Sequence, residues 1–67
     1  MTSLETLKSQ APSAFNLLIQ VYEASIIAEV ITEESFTNVV KDVASHYGIP
    51  YIALLDETIK YGMNKFE

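Results

Sequence analysis

Between Pro12 and Ile31 the chain is apolar on nearly every side a helix can present. Phe15, Leu18, Tyr22 and Ile26 recur at three- and four-residue spacing along one side. Leu17, Val21, Ala24, Ala28 and Ile31 run along another. Asn16, Gln20 and Glu23 make a narrow polar stripe, and Ile27 interrupts it where it should continue. A surface helix keeps a broad polar face, whereas a helix apolar nearly all round is surrounded by other structure. The whole chain has 67 residues. The rest of it must wrap this rod, or something outside the chain must.

Chains of this size stabilise a single core only marginally and usually add a staple. There is no cysteine, so disulfides are excluded. His46 is the single histidine, and with no thiolate beside it no tetrahedral zinc set is available. A second subunit or very good helix packing is what remains. The expectation is therefore a homo-oligomer, most simply a homodimer. Its interface would be carried by the long helix through Leu17, Ile19, Glu23 and Ile27.

The other segments read as helices too. Thr2-Ser3-Leu4-Glu5 has the spacing of a capping box, opening a short helix to about Ser9. Pro12 suits the first turn of the next helix. Thr32 is placed to cap a third helix, with Glu33 and Glu34 in its first turn. Phe36, Val39, Val40, Val43, Ala44 and Tyr47 give that helix its inner face, and Gly48 is placed to end it. A fourth helix is expected from Pro50 to Tyr61, with Ile52, Leu55 and Ile59 as its inner edge, widened by Tyr51, Leu54 and Thr58, and Gly62 as its cap. Residues 63–67 read as a frayed tail. The fold class is all-α: a small bundle of three main helices plus a short N-terminal helix, in one domain spanning 1–67.

Charge narrows the partners. Hydrophobic residues make up 49% of the chain and charged residues 19%, enough apolar mass for a core. The net charge is −5, with no arginine and only Lys8, Lys41, Lys60 and Lys65 as cations. Phosphate-binding surfaces are basic, so nucleic acid and anionic membrane are not the expected partners. A protein with a basic surface is the natural match. No signal-peptide pattern opens the chain, and no uninterrupted apolar run is long enough to span a bilayer. With no cysteine, the expected location is cytoplasmic. Tyr47 and Tyr51 flank the Gly48-Ile49-Pro50 turn and are placed to present a joint contact patch.

Residues 36–60 resemble a helix-turn-helix unit locally. Ala44 supplies the small residue, Gly48 the turn glycine, Ile49 the following aliphatic, and Leu54 and Leu55 those of the second helix. The resemblance implies a transcription regulator whose recognition helix is Pro50 to Tyr61. Its outward side chains would be Tyr51, Ala53, Asp56, Glu57 and Lys60. Two of these are carboxylates, which repel phosphates, and none is an arginine or glutamine able to read a base edge.

No catalytic set emerges. Asp42 precedes His46 by one helical turn, but no nucleophile motif accompanies the pair. The adjacent carboxylates Glu33-Glu34 and Asp56-Glu57 diverge along a helix and do not converge on a metal. No cofactor or metal ligand set is expected, and no enzyme. The functional expectation is a small acidic protein–protein interaction module: an adaptor, a regulator or an inhibitor of a larger protein. The helix-turn-helix-like transcription regulator is the other reading.

Overall fold

The computed structural model describes residues 2–66 and is an all-α bundle. Helix α1 spans Ser3–Gln10, α2 Pro12–Tyr22, α3 Glu33–Tyr47 and α4 Tyr51–Phe66. A π-helical turn, Glu23–Ile27, continues α2.

The expected capping box opens α1. The Glu5 amide donates to Thr2 Oγ1 at 3.1 Å, and the Thr2 amide donates to Glu5 Oε2 at 3.4 Å. Ala11 leaves helical geometry at φ −142°, and Pro12 starts α2 one residue later. Leu4 and Leu7 are buried, so this short helix is a working part of the core.

Helix α2 supplies the centre with Phe15, Leu18, Ile19 and Tyr22. Ile19, expected at an interface, is a core residue. The continuous helix expected to Ile31 is not formed: α-helical pairing ends at Tyr22. In the turn that follows, the Ala28 amide donates to Glu23 O at 2.8 Å, an i→i+5 bond. That changes the number of residues per turn and breaks the register that would carry Ile26 inward. Ile26 is exposed, and Ser25 is buried instead.

Helix α3 forms within the expected limits. Thr32 Oγ1 accepts from the Ser35 amide at 3.0 Å, and Gly48 closes the far end at φ +68°. Phe36, Val40, Val43 and Ala44 face the core, while Tyr47 is exposed.

Helix α4 differs most from expectation. It runs through Gly62 to Phe66, so residues 63–66 are helical; Glu67 lies outside the described residues. Its buried line is Leu54, Thr58 and Gly62, and Ile52, expected inside, is 67% exposed. The reason is Tyr22. Its ring lies against the Gly62 backbone, and a Cβ there would fall 2.6 Å from Tyr22 Cζ. The residue without a side chain therefore has to face α2, and this fixes the rotation of the helix. The same ring meets Phe36 edge-on at 5.9 Å and stacks on Phe66 at 6.0 Å. Phe15, near the start of α2, meets Tyr61 edge-on at 5.3 Å, a second aromatic contact between α2 and the C-terminal half of α4. Leu7, Leu18, Leu54 and Val40 are fully buried among these rings. Each contributes about 1.5–3 kcal/mol relative to exposure.

Candidate functional site

The backbone is least regular where α2 gives way to α3. After the π-helical turn, Glu29 takes a left-handed conformation at φ +55°, the one non-glycine residue with positive φ among those described. Left-handed backbone costs a residue with a Cβ roughly 1–2 kcal/mol. It reverses the chain so that the amides of Val30 and Ile31 both donate to Ala24 O, at 2.8 and 3.3 Å. Ser25, beneath this reversal, is buried with a hydroxyl that has no hydrogen-bond partner. Buried unpaired polar groups are destabilising, and non-α turns and strained dihedrals concentrate at functional sites.

These unfavourable features sit beside exposed apolar surface. Eight large hydrophobics stand exposed among the described residues, and three fall in the five residues from Ile26 to Val30. Val30 is 73% exposed and Ile27 49%. Leu17, on the outer face of α2, is exposed as well. Glu23, Glu29, Glu33 and Glu34 are exposed around the same segment.

Ser25→Ala removes the unpaired hydroxyl and restores a better helix former. It should stabilise the fold by about 1 kcal/mol. A thermal melt followed by far-UV circular dichroism should then rise by roughly 4–8 °C.

The six residues expected at an interface are therefore distributed unevenly. Glu23 and Ile27 lie in the reversal, Leu17 lies on the outer face of α2, and Ile19 lies in the core. Tyr47 and Tyr51 are exposed at the α3–α4 turn. His46 meets the Tyr47 ring edge-on at 4.8 Å, and Lys41 lies 5.0 Å over the Tyr51 ring. Val30 was missed because it falls in the last turn of the helix expected to Ile31, on neither of the apolar lines read along it. Ile26 was missed because helical spacing placed it inside.

A second feature is a cleft of about 310 Å³ between the start of α1 and the outer side of α4. Its polar groups serve the fold. Glu57 Oε1 accepts from the Ser3 amide at 3.2 Å, tying α4 to the first turn of α1. Glu5 belongs to the capping box, and Lys60 pairs with Asp56 at 3.0 Å. Glu57 Oε2 is buried without a hydrogen-bond partner. Asp42 and His46 form no ion pair among the described residues. No group of three candidate metal ligands occurs there either. Among the described residues, no helix is long and apolar enough to cross a membrane.

Compared with known proteins, the chain matches no family model, no curated protein and no solved structure.

Proposed function

We propose that this chain is a protein–protein interaction module that presents the reversal after α2 as its contact surface. Ile26, Ile27 and Val30 form the apolar centre of that surface, with Glu23 and Glu29 beside them. The occupant is a second copy, giving the expected homodimer, or a larger protein that the chain regulates. One observation carries the reading. The positive φ, the π-helical turn and the unpaired Ser25 hydroxyl fall in the same few residues as the exposed branched aliphatics. A fold this small has about 3–10 kcal/mol of stability in total. Concentrating several unfavourable terms at one exposed apolar corner is best explained by a use for that corner.

A DNA-reading role for α4 has less support. Glu57 is tied to α1 and does not face outward, and Lys60, the one outward cation in the proposed reading set, pairs with Asp56.

The test is the double variant Ile27→Glu, Val30→Glu. Both residues are exposed, so the far-UV signal and the unfolding free energy should stay within about 0.5 kcal/mol of wild type. Self-association in sedimentation, or specific captures from the native host, should disappear, while Ile52→Glu on α4 leaves them intact. A monomeric wild type that captures the same proteins as the double variant removes the reading.

A further inference from the structure

Building on that reading, we infer that the occupant of this corner is a different protein with a basic, apolar surface, and not a second copy of the chain. From Ser9 to Val40 the sequence contains no lysine or arginine. Within that stretch lie Glu23, Glu29, Glu33 and Glu34, all exposed and all within seven residues of Val30 or of Ile27. The corner is thus an aliphatic knob whose charged surroundings carry one sign.

The four cations of the chain do not relieve this. Lys8 lies 5.3 Å over the Phe15 ring, at the opposite end of α2. Lys41 lies over Tyr51, at the start of α4. Lys60 is held on Asp56. Lys65 lies over the ring of Phe66, which stacks on Tyr22 just before the turn. One lysine against four glutamates leaves the corner acidic.

A two-fold dimer places the same patch on both sides of its axis. Here that would set each acidic rim against its own copy, a juxtaposition that disfavours association. The same rim favours a partner whose apolar depression is edged by lysine or arginine. It would speed the encounter, while the aliphatic knob would supply the burial.

The experiment uses the full chain, ¹⁵N-labelled, and three synthetic helical peptides. All share one leucine face; their polar faces are lysine, glutamine or glutamate. The lysine peptide should shift the amides of residues 23–34 and bind at least about tenfold more tightly at low salt than the glutamine peptide. The double variant Glu29→Lys, Glu33→Lys should lose about that factor for the lysine peptide. Wild type should sediment as one chain. Equal binding of the lysine and glutamine peptides overturns the inference. So does no binding, or shifts spread over the Glu5 and Asp56 faces. A wild-type dimer that Val30→Glu dissociates also overturns it, but leaves the corner as an interface. That result separates this inference from the reading beneath it.

Discussion

Tyr22→Ala should leave the chain on the edge of unfolding in water. Tyr22 is 2% exposed, and its ring joins α2 to both α3 and α4. It meets Phe36 on α3 edge-on, stacks on Phe66 and covers the Gly62 backbone on α4. Truncating a buried aromatic to alanine removes about 3–5 kcal/mol. At 0.05–0.15 kcal/mol per residue, a chain of this length holds only about 3–10 kcal/mol. Nearby residues cannot collapse readily into the space, because Gly62 has no side chain to move and Phe66 loses its stacking partner. Urea unfolding followed by far-UV circular dichroism should show the midpoint falling by more than half, or no folded baseline. A loss below about 1 kcal/mol would mean that the three helices are held together elsewhere.

Tyr22 also shows how far the sequence reaches. Its spacing from Phe15 and Leu18 places it on the inner side of α2, and the structure puts it there. The Thr2 and Thr32 caps, the Pro12 start and the Gly48 stop were equally legible. Each is a local device, set by a side chain or a fixed dihedral within four residues of the position it controls. The all-α class follows from the same signals.

What was not legible depends on contacts distant in sequence or on backbone no residue type announces. The segment Ala28 to Ile31 contains no glycine or proline, so nothing marked a reversal. Glu29 takes the left-handed conformation that a glycine would have advertised. Without that mark, the helical pattern extends to Ile31, Ile26 counts as core and Val30 counts for nothing. The candidate corner was therefore half visible: Glu23 and Ile27 were named, for the reason that Ile27 interrupts a polar stripe. Val30, its most exposed member, was not. Ile19 failed in the opposite sense. An aliphatic on a helix apolar all round can face inward or outward, and only the placement of α1, α3 and α4 decides which.

Gly62 is the clearest case, and Gly62→Ala is the second large effect. In an exposed helix interior, alanine in place of glycine stabilises by about 1 kcal/mol. Here the sign should reverse. The new Cβ falls within the space of the Tyr22 ring, which is itself confined by Phe36 and Phe66. Overpacking of this kind costs about 1–3 kcal/mol, enough to outweigh the propensity gain. A net loss alone would also fit a left-handed cap at residue 62, the assignment that sequence favours. The two explanations part in a Tyr22→Leu background. A cap depends on the local dihedral, so its penalty is the same whatever occupies position 22. A close approach depends on the ring, so a smaller and more mobile leucine should remove most of the penalty. The expected double-mutant cycle has Gly62→Ala destabilising in wild type and neutral or stabilising beside Leu, with a coupling of about 1–3 kcal/mol. Equal penalties in both backgrounds would mean that α4 stops at residue 62 and that Ile52, not Gly62, turns toward the core.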